Sequence, residues 1–101
     1  LRAGMLVSNE PGYYEKDQFG IRIENILLIK KLPKLKGTKN QMLAFDTLTL
    51  VPIDKTLINT KKLTEKEKDW LNSYHDSVYK KLAPLLPTKT VIWLKKNCSP
   101  I

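Results

Sequence analysis

The chain has 101 residues, of which 42% are hydrophobic and 28% are charged, a composition typical of one small globular unit rather than of a disordered or fibrous protein. Its net charge of +8 comes mostly from lysine, with two arginines and no nucleic-acid-binding motif, so a solvated basic surface is favoured over nucleic-acid binding. No apolar run approaches the roughly 18 residues of a membrane helix, which excludes a spanning segment, and the one cysteine, Cys98, excludes a disulfide scaffold.

The first 20 residues predict a short strand followed by a loop. The chain starts at Leu1 with neither an initiating methionine nor a signal-peptide pattern, and we expect a piece of a longer, cytoplasmic protein. Residues 5–7 are apolar and predict a strand that stops at Glu10, because Pro11 lacks the backbone donor that a ladder needs. We expect residues 13–20 to form a loop.

The middle of the chain predicts two further strands. Residues 21–29 are rich in β-branched side chains and become apolar on both faces, which is typical of an interior strand covered on both sides. Residues 30–42 contain the lysine, proline, glycine, threonine and asparagine that favour a loop. Residues 47–51 predict a third strand, which Pro52 ends.

The last third of the chain predicts two helices. Residues 64–67 read Thr-Glu-Lys-Glu, a capping box, and apolar residues at helical spacing continue the helix to about Ala83. Pro84 breaks this helix, and residues 88–96 predict a second, shorter one. Strands followed by helices indicate an α+β fold.

Four residues in the helical region have side chains that could carry chemistry, but each favours a structural role. His75, the one histidine, lies beside polar Ser73, Asp76 and Ser77 and is predicted to be partly exposed and not catalytic. Cys98 has no neighbouring base and is predicted to be an ordinary free thiol. Trp70 and Trp93 occupy apolar helix positions and are predicted to be core or interface anchors.

Glu10 and Glu24 are the informative pair of acidic residues. Glu24 lies in the most apolar predicted strand, where an unpaired carboxylate would cost several kcal/mol or stay protonated. Because side chains alternate along a strand, Arg22 and Glu24 project from the same face. A salt bridge would neutralise Glu24, and so would a shared metal or ligand site, and the spacing alone leaves both open.

The sequence motifs around Glu10 and Glu24 resemble those of the pita-bread metallopeptidases. Residues 8–14 read SNEPGYY and residues 19–25 read FGIRIEN, with the glutamates fourteen positions apart. Within that family, the chain is most similar to the cytosolic Xaa-Pro aminopeptidases, also called aminopeptidase P. Residues 45–53 and 63–75 resemble the C-terminal extension of the large enzymes of this type, so the resemblance covers nearly the whole chain.

The resemblance implies the C-terminal portion of a pita-bread fold, with antiparallel strands followed by two helices. It places the end of the catalytic domain at residues 1–40 and the C-terminal extension at residues 41–101. It implies a metallopeptidase that removes the N-terminal residue from peptides with proline in second position. It also implies a cytoplasmic enzyme. We expect a homo-oligomer, a dimer, because the strand at 21–29 has apolar side chains on both faces that a second copy would cover. The alternative is a non-catalytic pita-bread homologue that binds a protein or a nucleic acid.

The resemblance also assigns roles to individual residues. Glu10 corresponds to the terminal ligand of one metal and to a proton shuttle, and Glu24 to the carboxylate that bridges two divalent ions, usually manganese. Tyr14 and Arg22 correspond to residues that hold a metal-bound aspartate in place. The family's other ligands, two aspartates and one histidine, lie upstream of these positions, so we expect this segment alone to be inactive and to bind metal weakly.

Overall fold

A computed structural model describes residues 1–34 and 36–101, and in this part of the chain five strands precede two helices, as the predicted α+β order requires. The elements are β1 (Leu6–Asn9), β2 (Gly12–Glu15), β3 (Phe19–Arg22), β4 (Asn25–Lys31), β5 (Leu43–Thr47), α1 (Glu65–Leu82) and α2 (Thr88–Asn97). They form two compact units, Leu1–Thr49 with the strands and Leu50–Ile101 with the helices. The division into 1–40 and 41–101 remains a prediction.

The strand unit contains two antiparallel sheets. The larger has the order β1-β4-β5, so β4 is central, as predicted for the most apolar strand. The smaller is the hairpin β2–β3. Its three-residue loop has Asp17 at φ 59°, a left-handed conformation that aspartate tolerates better than most residues.

One register runs through both sheets. Pairing of β1 with β4 ends at Asn9 opposite Asn25, and pairing of β2 with β3 begins at Gly12 opposite Arg22. Continuing the first register places Pro11 opposite Ile23, and the Ile23 N–H indeed donates to the Pro11 carbonyl at 3.1 Å. Since proline has no N–H, the return hydrogen bond cannot form, and the ribbon is interrupted there.

Two predictions for residues 13–29 were wrong in ways that this ribbon explains. The single strand predicted at 21–29 is two strands, because the ladder breaks opposite Pro11. The loop predicted at 13–20 is mostly the hairpin β2–β3, with turn residues confined to its tip.

The prediction of a strand at 47–51 was also wrong. The structure instead has β5, which ends at Thr47, where the predicted strand begins. Beyond it, the Thr49 hydroxyl accepts a hydrogen bond from the Ile26 N–H at 2.8 Å, so a side chain replaces the expected ladder partner. Most of the loop predicted at 30–42 is irregular, although β4 continues to Lys31; Leu35 lies outside the described residues.

The helical unit begins as the sequence predicts. Thr64 caps α1, its hydroxyl accepts from the Glu67 N–H at 3.3 Å, and the Glu67 carboxylate accepts from the Thr64 N–H at 2.7 Å. After α1 a 3-10 turn, Ala83–Leu85, contains the predicted helix breaker, and α2 follows at the predicted position.

The core of the helical unit joins the two helices to the segment before them. Its buried members are Tyr74, Val78, Leu94 and Cys98. The partly buried residues packed on this cluster are Leu50, Ile53, Tyr79, Leu82, Ala83 and Leu86. The Tyr74 hydroxyl donates to the Val51 carbonyl at 2.7 Å, so the preceding segment is fixed by a polar contact as well as by packing.

The predictions for His75 and the tryptophans need correction. His75 is completely buried, because positions four before and three after it, Leu71 and Val78, form the buried face of α1. Trp70 and Trp93 are 49% and 56% exposed and are therefore not core residues. Their use as interface anchors stays a prediction.

Candidate metal-ligand site

Glu10 directly follows β1 and is held from two sides. The Ser8 hydroxyl donates to Glu10 Oε1 at 2.9 Å, and the Arg22 guanidinium lies 3.9 Å from Glu10 Oε2. Both charged side chains are about two fifths exposed. The carboxylate is thus oriented by neighbours but open to solvent.

Tyr14 and Arg22 lie together beside Glu10. The Tyr14 hydroxyl donates to the Glu10 carbonyl at 2.9 Å, and the Arg22 guanidinium carbon lies 5.4 Å from the centre of the Tyr14 ring. Gly20 pairs with Tyr14 across the hairpin, and a Cβ at Gly20 would lie only 3.0 Å from a ring carbon. The glycine therefore leaves the space that lets the ring lie across the strand and reach Glu10.

Glu24 differs from its predicted environment. It is exposed and lies between β3 and β4, not inside an apolar strand, so burial imposes no need to neutralise it. Arg22 forms its ion pair with Glu10, not the pair with Glu24 that the sequence left open. What the structure adds is the register, which places Glu24 directly opposite Glu10 when the pairing of Asn9 with Asn25 is continued by one residue.

The pairing type at this position brings side chains close. Because Ile23 hydrogen-bonds Pro11, the neighbouring pair of Glu10 and Glu24 is of the non-hydrogen-bonded kind, in which facing side chains approach most closely. Two carboxylates directly opposite each other repel unless a cation lies between or beside them. The break in the ribbon therefore presents two acidic groups on one face.

The donor chemistry of this pair fits a contribution to a divalent-metal site. Carboxylate oxygens suit hard divalent ions, but such ions need more ligands than two side chains supply. Residues 1–34 and 36–101 contain no group of three or more histidine, cysteine, aspartate or glutamate side chains that could hold a metal. Glu10 and Glu24 can thus supply part of a ligand set whose remainder lies outside these residues.

Ser8 is the site residue that sequence reasoning missed. Its signal was present, since residues two apart on a strand share a face and Ser8 precedes Glu10 by two. A second missed feature is Asn25, which is 4% exposed, pairs with Asn9 and has no hydrogen-bond partner for its Oδ1.

His75 and Cys98 have environments that suit structural roles. His75 Nε2 accepts a hydrogen bond from the Ile53 N–H at 3.0 Å, which requires an unprotonated Nε2. Burial, and secondarily the Lys55 ammonium, lowers the pKa of His75, so the neutral ring is favoured. Burial raises the pKa of the Cys98 thiol, which disfavours the reactive thiolate.

Comparison with known proteins identifies the family. The model for the C-terminal region of peptidase M24 matches residues 41–101, and the model for metallopeptidase family M24 matches residues 1–31. The chain belongs to metallopeptidase family M24. The resemblance noted in the sequence is therefore confirmed.

Relatives of this M24 chain carry aminopeptidase names. It is 50% identical to a probable Xaa-Pro aminopeptidase P of Coprinopsis cinerea and 45% identical to aminopeptidase P2 of Arabidopsis thaliana. Each alignment covers all of this chain, but 17% and 14% of the respective relative. The chain thus spans about a sixth of the length of such proteins.

A solved structure supports the fold. The crystal structure of X-prolyl aminopeptidase from Caenorhabditis elegans, described as a cytosolic enzyme with a di-nuclear active site, matches with a TM-score of 0.82 and 37% identity. The match covers 100% of this chain and 17% of that one. The predicted fold class, part of a pita-bread fold, is confirmed. Of the helices in the described residues, neither is both long and apolar enough to cross a membrane.

Proposed function

We propose that this chain is the C-terminal part of an Xaa-Pro aminopeptidase, which removes the N-terminal residue from peptides with proline in second position. The observation that carries the proposal is the register that sets Glu10 opposite Glu24 at the interrupted ribbon. The names of the M24 relatives support the same activity.

The proposal assigns both glutamates as ligands of two divalent ions, with manganese as the proposed metal. When bound, such ions polarise the scissile carbonyl of a peptide. Glu10, which is partly exposed, also passes a proton to the departing proline nitrogen. Arg22 and Tyr14 keep Glu10 in place through the contacts described above and orient a neighbouring ligand.

The proposed setting follows the C. elegans relative. That protein is described as cytosolic with a di-nuclear site, and we propose a cytoplasmic enzyme with two metals. We further propose a homodimer, because the strand unit exposes large apolar side chains that include Tyr13, Phe19 and Ile21.

The proposal is tested with the full-length protein that contains this segment, using an Arg-Pro-Pro peptide. We expect Glu24→Gln to be the most damaging of four variants, because an amide offers one neutral oxygen and its NH2 group repels a second cation. Glu10→Gln should also cripple turnover. Arg22→Lys and Tyr14→Phe should each lower turnover by about 10 to 100-fold.

Metal content and turnover are measured together at matched manganese concentration. Glu24→Gln should lose bound metal and activity in parallel. If it retains two metals per chain and near-normal turnover while Arg22→Lys is inactive, the dinuclear assignment is wrong. If the wild-type protein hydrolyses no Xaa-Pro peptide, the non-catalytic binding alternative replaces the proposal.

A further inference from the structure

We propose that Ser8 is a positioning residue whose hydroxyl holds the Glu10 carboxylate in the orientation that a metal ligand needs; this inference rests on the proposed function. The Ser8 hydroxyl donates to Glu10 Oε1 at 2.9 Å. That separation lies within the range of a normal O–H···O hydrogen bond.

Arg22 holds the same carboxylate less tightly than Ser8. The guanidinium lies 3.9 Å from Glu10 Oε2, which is an ion-pair distance but is too long for a hydrogen bond. The two neighbours contact different oxygens of the carboxylate, and the contact from Ser8 is the shorter and more directional of the two. The Ser8 hydrogen bond therefore sets the orientation of the carboxylate, and Arg22 adds a longer ion pair.

The two ends of the Glu10 residue are fixed independently. Tyr14 donates to its backbone carbonyl, and Ser8 donates to its side chain. Ser8 is itself placed by the sheet, since it lies within β1 and pairs with Ile26 of the central strand β4. A site on a sheet strand is positioned more precisely than one on a loop.

Removing the hydroxyl gives the carboxylate a competing partner. Without Ser8, Glu10 can turn toward Arg22 and close the 3.9 Å gap into a charge-assisted, bidentate pair. Both oxygens would then be engaged by the guanidinium and less available to a cation. The cost should appear as weaker metal binding and slower turnover, with little effect on substrate binding.

The test compares Ser8→Ala with Ser8→Thr in the full-length protein, with Ser77→Ala on the exposed side of α1 as a matched control. Turnover of an Arg-Pro-Pro peptide gives kcat and KM, and calorimetry of the metal-free protein gives the affinity for Mn²⁺. Ser8→Ala should lower kcat and Mn²⁺ affinity about 10 to 100-fold with KM nearly unchanged. Ser8→Thr and Ser77→Ala should match the wild type.

Three results would overturn this assignment. They are wild-type kcat and Mn²⁺ affinity in Ser8→Ala, an equal loss in Ser8→Thr, and a change confined to KM. A wild-type protein without Xaa-Pro activity would instead refute the proposed function. In that case the Mn²⁺ affinities of wild type and Ser8→Ala still decide whether the hydroxyl positions Glu10.

Discussion

The two units of the chain differ in how far they bury their apolar side chains. The helical unit buries its own core, in which Val78 and Leu94 are almost completely enclosed. It also ties its ends with hydrogen bonds, from Lys55 Nζ to the Ser99 hydroxyl at 2.8 Å and from the Ile101 N–H to Asn72 Oδ1 at 3.0 Å. The helical unit therefore has a buried core and polar contacts of its own.

The strand unit carries the candidate site and leaves most of its apolar side chains exposed. Among the described residues of this unit, Ile29 is the one hydrophobic residue that is fully buried, whereas Leu6 and Phe45 are 61% and 56% exposed. A two-stranded hairpin such as β2–β3 is only marginally stable in water. The candidate site and most of the buried core therefore lie in different units.

The largest effect should come from equal truncations in the two units. Leu94→Ala removes a side chain that is 1% exposed and should lower the free energy of unfolding of the helical unit by about 2–5 kcal/mol. Leu6→Ala, at an exposed position of β1, should change the free energy of unfolding of the strand unit by about 0.5 kcal/mol or less. Urea unfolding measures both, followed by circular dichroism of the helices for Leu94→Ala and by amide hydrogen exchange of β1 and β4 for Leu6→Ala. Equal losses would contradict the difference in burial between the two units.

A smaller effect should follow the protonation of His75. Its pKa is lowered in the folded state by burial and by Lys55, so the unfolded chain binds the proton more readily. The contribution of the neutral ring is complete above about pH 6.5 and is lost as the pH falls toward the lowered pKa, with a slope of at most about 1.4 kcal/mol per pH unit.

The measurement for His75 is unfolding free energy between about pH 7 and pH 5. His75→Gln is the matched variant, because its amide oxygen can accept from the Ile53 N–H without titrating. We expect a pH-dependent fall in the wild type that is flatter in the variant. Identical profiles would mean that His75 is not the group responsible.

The smallest effect should come from the cap of α1. Thr64→Ala removes the hydroxyl that accepts from Glu67 and should cost about 1 kcal/mol of stability. Thr64→Ser keeps the hydroxyl and should stay close to the wild type. Thermal unfolding of the three proteins separates the cap from the methyl group, and a loss in Thr64→Ser equal to that in Thr64→Ala would contradict the capping role.

The helices and the family resemblance could be predicted from the sequence because their signals are local. Thr64 and Glu67 satisfy each other's backbone groups within one turn, and a proline follows the last turn of α1. The motifs around Glu10 and Glu24 that resemble the family likewise lie in two short stretches of sequence. The burial of His75 was also accessible, since Leu71 and Val78 flank it at helical spacing.

The arrangement of the strands and of the site depended on tertiary structure. Nothing in residues 21–29 says that the strand divides, because the cause is Pro11, which meets Ile23 only when the ribbon pairs. The same pairing places Glu10 opposite Glu24, and the ion pair of Arg22 forms with Glu10. Local sequence thus determined the helices, whereas hydrogen bonds between distant segments decided where the strands begin and end and which side chains meet, because a strand finds its partners outside itself.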